Sequence, residues 1–400
     1  MPYVHLCFHS ATWTVLRIVD FVLYCAYHPG RPIVCPAEET KKVVQGFVGI
    51  EKRPKDRMKS SSAVQRIRLM GYHFSSLQGA RSRAAMEIPT FTICGHIGQA
   101  YSGLADILLV KREGKGSRLN ALKILSTEFI DYEQIKKEVW FLRWLSHPNI
   151  ISLECAFSTD SDVYILSPFY DLCSVLRVIQ AHYKHGLPEK AIVQIVKNVL
   201  LAVQYLHEQK IVHRSIRCSH ILLSSNGAVK LAGLRHCTFL RRNEITEAHE
   251  PLHEFGPELA EGLLWLAPEI LKQDLYGYGL LSDVYSIGIT LCEMANGFPP
   301  FSDMERLQML YEKSKGTTPR LLDSTTLPDD DDTAPEQKRR SFSDSFHNIT
   351  DICLKPSPEN RWSVAKLLTH SFVRSVKKTR SFNDLLPNAR PTGVRNGETV

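Results

Sequence analysis

Ser215 and His220, in the run His213-Arg214-Ser215-Ile216-Arg217-Cys218-Ser219-His220, stand in a frame that belongs to phosphoryl transfer. The frame is H-R-D-x-x-x-x-N, in which the aspartate accepts a proton from the hydroxyl under attack and the asparagine holds a magnesium ion. In this chain the base position carries a hydroxyl and the metal position an imidazole. Further on, Val229-Lys230-Leu231-Ala232-Gly233-Leu234-Arg235 occupies the strand leading into D-F-G, and the second metal-holding aspartate is replaced by Gly233. Hard magnesium wants oxygen ligands in near-octahedral geometry. A chain without these acidic and amide groups keeps the frame of the transfer site and none of its catalytic groups.

Such a frame needs elements to position it. Asn120-Ala121-Leu122-Lys123 matches the strand V-A-I-K, whose lysine reaches nucleotide phosphates. Glu138, the partner such a lysine needs, lies in a segment of helical period marked by Ile135, Val139, Leu142 and Leu145. That segment stops at His147-Pro148, because proline disfavours α geometry in the residue before it. Ile97-Gly98-Gln99-Ala100-Tyr101-Ser102-Gly103 reads as a glycine-rich loop with Gly98 and Gly103 kept and Ala100 in the middle. The methyl of Ala100 is expected to restrict φ and to hold the backbone away from phosphates.

Leu266-Ala267-Pro268-Glu269 then matches A-P-E, Ser282-Asp283-Val284-Tyr285 opens a long buried helix, and Glu269 is expected to pair with Arg361 as a structural tie. From about residue 88 to 373 these landmarks resemble a protein kinase in order and spacing. The resemblance implies an α+β, bilobal protein kinase fold. A small antiparallel β lobe with helix C spans 88–167, a larger, mainly α-helical lobe spans 168–373, and a flexible acidic and basic loop spans 324–345.

The kinase pattern also implies roles for single residues. Leu142, Leu153, His213 and Leu234, with Asp283 beneath, match the stack that joins the lobes when helix C is swung in; taken singly, each reads as ordinary core. Ala121 and Leu222 match the residues that sandwich an adenine ring, and small Ser167 leaves that pocket open. Arg235, in place of the last glycine of D-F-G, can grip phosphate oxygens bidentately and, with Lys123, offset charge that magnesium normally neutralises. The competing reading for Arg235 is an ion pair with Glu138 or a solvated side chain. Lys123 and Glu138, with Gly98 and Gly103, complete the candidate nucleotide site.

More specifically, H-R-S-I-R-C-S-H-I-L-L together with A-G-L-R resembles the STRAD family, pseudokinase adaptors related to the sterile-twenty kinases. Gln273-Asp274-Leu275-Tyr276-Gly277-Tyr278 and Leu321-Leu322-Asp323 read alike. The resemblance implies a protein that does not phosphorylate. It binds a liver-kinase-B-type serine/threonine kinase and activates it allosterically, with a helical-repeat scaffold of the calcium-binding-protein-39 type. Leu264, Trp265 and Leu266 are then the expected contacts for the partner kinase, and ATP held without magnesium is the expected ligand. Two departures stand out. The chain ends Gly397-Glu398-Thr399-Val400 where the family ends Trp-Glu-Phe, which puts tail docking on the scaffold in doubt, and Arg217 replaces the catalytic-loop lysine.

With 400 residues, 44% of them hydrophobic, the chain can bury a two-lobe core and leave flanks. Its net charge of +7 is concentrated in residues 1 to 85, where 13 Lys or Arg face 5 Asp or Glu. Residues 1–87 read as a basic, poorly ordered extension matching no motif, with Met86 as an alternative start, and 374–400 as a tail. Without aromatic interleaving the basic flank reads as solvated, so neither nucleic acid nor membrane is expected as a partner. Arg17 and Asp20 interrupt the apolar stretch 11–27, which excludes a spanning helix. Ten cysteines without C-x-x-C pairs indicate neither a zinc site nor a disulfide framework, hence no structural metal and a cytoplasmic setting, with the nucleus as a second location. Ser341 and Ser381 follow basic residues and read as unmodified surface serines. Two alternatives to the adaptor remain open: a weak unconventional serine/threonine kinase, and a nucleotide-binding scaffold for another client.

Overall fold

The computed structural model describes residues 91–392 apart from 113–117, 160, 244, 246 and 328–334. It adds short strands at 66–67, 70–73, 86–87, 394–395 and 398–399. The expectations for residues 1–87 and for the chain's end lie outside the described residues except for these strands.

The small lobe is an antiparallel sheet of β1 (Phe91–Ala100), β2 (Ala105–Arg112), β3 (Leu119–Ser126), β4 (Cys155–Ser158) and β5 (Asp162–Pro168), in the order β1-β2-β3-β5-β4. Residues 66–67 and 70–73 add edge strands to it. One face carries a small apolar cluster in which Phe157 stacks between Phe91 and Tyr164. The other face is closed by α1 (Tyr132–Trp144), whose first turn is capped by Asp131 accepting the Glu133 amide at 3.0 Å. Ile135, Val139 and Leu142 of α1 turn inward at the expected helical spacing and join the main core.

The large lobe packs around α2 (Val175–His182), α3 (Glu189–Glu208) and α4 (Leu281–Asn296). Every residue of α4 from Ser282 to Asn296 is buried, as a central helix requires. Among the described residues no helix is long and apolar enough to cross a membrane.

Two segments at the edge of the large lobe are anchored to it. The described part of the loop at 324–345 is tied down. Residues Pro335–Arg339 form a helical turn, the Arg340 guanidinium donates to the Leu322 carbonyl at 2.7 and 2.9 Å, and Ser343 donates to Glu189 at 2.6 Å. The segment following the kinase pattern is docked as well, and its order comes from burial. Phe382 and Leu386 are fully buried, Gln194 exchanges two hydrogen bonds of 2.8 Å with the Arg380 backbone, and the Thr392 amide reaches the Asp171 carbonyl at 2.6 Å. Ser381 caps the short helix Phe382–Leu385 and donates to the Ser225 carbonyl at 2.6 Å.

Candidate functional site

The cleft between the lobes, of about 600 Å³, is lined by the glycine-rich loop, β3, the 168–170 connection and the segments around His220 and Gly233. Gly98, Gly103, Ala121, Lys123, Glu138, Leu222 and Arg235 all line it. Ala121, Leu222, Ile97 and Ile165 face its apolar end, beside the buried Ser167.

At the polar end, β3 and α1 bring Lys123 Nζ to Glu138 Oε1 at 2.6 Å. Burial alone would raise the carboxyl pKa of Glu138, but the Lys123 ammonium and the hydrogen bonds from Lys123 and Tyr101 hold it below the ordinary glutamate value. Tyr101 donates its phenol to Glu138 Oε2 at 2.6 Å and is itself buried. Ala100 adopts an ordinary extended conformation. The turn falls instead on Tyr101 and Ser102, both in the left-handed region, with φ of 53° and 54°. This turn folds the Tyr101 ring inward, beneath the loop, where the Arg235 guanidinium lies 4.0 Å from its centroid.

Arg235 pairs with Glu261, so the alternative reading of an ion pair with Glu138 or a solvated side chain is corrected. Glu261 also accepts from Ser102 Oγ at 2.6 Å and from the Arg217 guanidinium at 3.4 Å, which joins the loop of the small lobe to the large lobe across the cleft. Sequence reasoning missed Tyr101 and Glu261. Tyr101 fills an unspecified position of the glycine-rich loop and Glu261 lies between the motifs, and their convergence depends on the loop turning inward and on the turn Pro257–Gly262.

The positions of the base and the metal ligands touch one another. The His220 ring donates from Nδ1 to the Ser215 carbonyl at 2.8 Å, sits 3.1 Å from Ser215 Oγ, and presents Nε2 to the Arg217 guanidinium at 3.2 Å. Burial, followed by the Arg217 charge, holds its pKa well below the ordinary histidine value, so the ring is neutral and ill-matched to a general base working near neutral pH. Gly233 has φ +82°, and a Cβ added there would lie 2.4 Å from His220 Nδ1. The imidazole therefore fills the space an aspartate at 233 would need. Among the described residues no group of three His, Cys, Asp or Glu side chains could hold a metal ion.

Around this altered centre, the groups assigned to structure meet. Asp283 accepts the backbone amides of His213 and Arg214 at 2.8 and 2.9 Å and faces His207 at 2.9 Å. His213 Nε2 lies 3.0 Å from the Ala232 carbonyl. Leu142 and Leu234 are buried in the same core, and Leu153 packs against it. Arg361 grips Glu269 through two parallel bonds of 2.7 and 2.8 Å.

One expected partner contact is corrected. Leu266 is 1% exposed and belongs to the core, because the turn into Pro268 points it inward. Leu264 and Trp265 are half-buried; the Trp265 indole donates to buried Glu293 at 2.8 Å. Lys313, fully buried, donates to the Leu263 and Leu264 carbonyls at 3.3 and 2.7 Å and fixes this segment from beneath.

The family description "protein kinase domain" matches residues 92–373. STE20-related kinase adapter protein alpha of Mus musculus is 34% identical over 318 residues, covering 71% of this chain and 73% of that protein. The Homo sapiens alpha protein is 33% identical over 318 residues, with 71% and 73% covered. The Homo sapiens beta protein is 32% identical over 327 residues, with 73% and 78% covered.

Proposed function

The chain belongs to the protein kinase family, in its STE20-related kinase adapter branch of pseudokinase adaptors, and from that premise we propose that it binds and allosterically activates a serine/threonine kinase without transferring phosphate itself. The observation that carries this reading is the joint state of the cleft. The elements that hold an active arrangement are assembled, with Lys123 on Glu138 and Arg361 on Glu269, while the base and metal positions are Ser215, His220 and Gly233. A body already locked in the active shape presents one surface continuously, and a partner that binds this surface best in its own active state is shifted toward that state. The relatives are named kinase adapters, which favours a kinase as the client. The liver-kinase-B type, with a helical-repeat scaffold of the calcium-binding-protein-39 type and action in the cytoplasm, is the specific form proposed here.

The test is peptide phosphorylation by such a kinase plus scaffold, with and without the full chain. A fragment ending near residue 375 would strip away buried Phe382 and Leu386. A rise in partner activity is expected, absent when the partner is catalytically dead. Leu264→Asp should cut the rise about tenfold or more, the scale of a well-placed interface side chain. Lys123→Met should leave it in place, because Tyr101 still donates to Glu138 and the Glu269–Arg361 tie is untouched. Loss of a phosphotransfer signal in Lys123→Met with the partner absent would instead establish a weak kinase.

A further inference from the structure

The turn Gln273-Asp274-Leu275-Tyr276-Gly277-Tyr278 lies outside the cleft, between the A-P-E-like segment and α4. Its backbone is closed on itself. The Asp274 amide donates to the Glu269 carbonyl at 3.1 Å, the Gly277 amide to the Asp274 carbonyl at 2.9 Å, and the Tyr276 amide to Asp274 Oδ1 at 3.0 Å. Gly277 has φ +73°, and a Cβ there would stand 2.6 Å from the Leu252 carbonyl oxygen. That close approach lets Leu252 and Tyr278 exchange backbone hydrogen bonds of 2.7 and 3.0 Å. Tyr278 is buried, and its phenol meets two groups at once. It donates to the Glu254 carbonyl at 2.7 Å and accepts from Arg214 Nη1 at 3.1 Å.

We infer that Tyr278 is a positioning residue for partner activation: its phenol latches the stretch from Leu252 to Phe255 to the catalytic-loop guanidinium, so that the activation segment is held in one shape by the chain's own groups. The inference rests on the reading of that segment as partner-facing. Arg214 gives the latch its strength. Its side chain is fully buried, Nε donates to the His236 carbonyl at 2.6 Å, and Nη2 has no hydrogen-bond partner among the described residues. The Glu254 carboxylate stands 3.7 Å from Nη1 and also accepts from exposed Arg241 at 3.3 Å, so the phenol is the closer acceptor for Nη1. A buried charged donor that loses its acceptor costs more than an ordinary hydrogen bond, and a hydroxyl that accepts from a cation donates more strongly in turn. Removing the hydroxyl therefore weakens both bonds together. The anchor itself is rigid, because the Arg214 backbone amide is held at 2.9 Å by Asp283 of the buried helix α4. Lys313 holds the Leu263 and Leu264 carbonyls at the other end, so the segment is pinned on both sides of the surface that carries Leu264.

Tyr278→Phe keeps the ring, and with it the contact to Phe255, and removes the hydroxyl alone. In the full chain, amide hydrogen exchange of residues 250–256 is expected to rise about tenfold or more, the scale of a lost hydrogen bond to a buried charge. In peptide phosphorylation by a liver-kinase-B-type kinase plus scaffold, the concentration of the variant giving half-maximal activation should rise about tenfold with the plateau kept, because only a fraction of the folded chain then shows the binding shape. A merely structural role would lower the melting temperature and leave the half-maximal concentration of folded chain unchanged. Gly277→Ala pushes the turn off Leu252 by a different route, should raise exchange in the same residues about threefold, and serves if the Tyr278 variant fails to fold. Unchanged exchange in the folded variants overturns the inference, as does faster exchange with an unchanged half-maximal concentration. A native chain that raises no partner activity would sink the activator reading instead, and the exchange comparison alone would then decide whether Tyr278 holds the segment.

Discussion

Two regions of the large lobe have been treated oppositely. The tie between Glu269 and Arg361 keeps both charges, two parallel hydrogen bonds and full burial. Near the cleft floor, the cluster of Ser215, His220 and Gly233 keeps its backbone path and none of its acidic or amide groups. The difference separates groups that hold geometry from groups that hold metal. A buried ion pair tolerates no single loss, because the survivor becomes an uncompensated charge. A position without a metal-holding carboxylate can be filled by whatever packs there, and the His220 imidazole lies against Gly233.

The sharpest way to break this comparison is Arg361→Ala. It strands Glu269 in the core and is expected to cost about 3 to 5 kcal/mol, read as a shift in the urea midpoint. A loss below about 1 kcal/mol would show that the tie is no more structural than the cluster. Next comes Gly233→Asp, which restores the lost carboxylate but meets both the left-handed backbone and the His220 ring at 2.4 Å. About 2 to 3 kcal/mol of destabilisation is expected. Combining it with His220→Asn should recover about 1 kcal/mol or more beyond additivity in a double-mutant cycle. Strict additivity would mean that the two positions have not adapted to one another.

The same cluster predicts a pH dependence. Burial first, with help from neighbouring guanidiniums, keeps His213, His220 and His236 below the ordinary histidine value. Between that value and the lowered ones the unfolded chain binds more protons than the folded one, so stability is complete above about pH 6.5 and falls as pH drops below it. Each such histidine contributes at most about 1.4 kcal/mol per pH unit. Melting temperatures at pH 7.5 and 5.5 should differ accordingly, and His220→Asn should flatten the slope. The smallest effect is expected at the exposed pair Arg242 and Glu247, 3.2 Å apart, where Arg242→Ala should move the melting temperature by about a degree or less.

Much of the fold was legible, because spaced motifs and helical periods name elements whose geometry is local. The strand of Lys123, the helix of Glu138 and the buried helix of Asp283 were all recognisable from residue types and intervals. Contacts that depend on where a loop turns were not. Arg235 could be assigned a phosphate or Glu138 from its position in the chain, yet it found Glu261, because the helical turn Pro257–Gly262, distant in sequence, brings that carboxylate to the cleft. Leu266 reads as an apolar contact residue in sequence and is core in space, since its side chain follows the turn into Pro268. Tail residues 376–392 carry no strong pattern, and their order comes from burying Phe382 and Leu386 against a lobe already formed.

By itself the sequence determined which chemical groups are present at the transfer site, and so that the acids and amides of catalysis are absent, because identity at a motif position needs no coordinates. It determined the order of the elements for the same reason. Only the tertiary structure decided what fills the vacated positions and which charges answer one another across the cleft. Those are distances between residues far apart in the chain, and electrostatic pairing and steric exclusion depend on distance rather than on sequence interval.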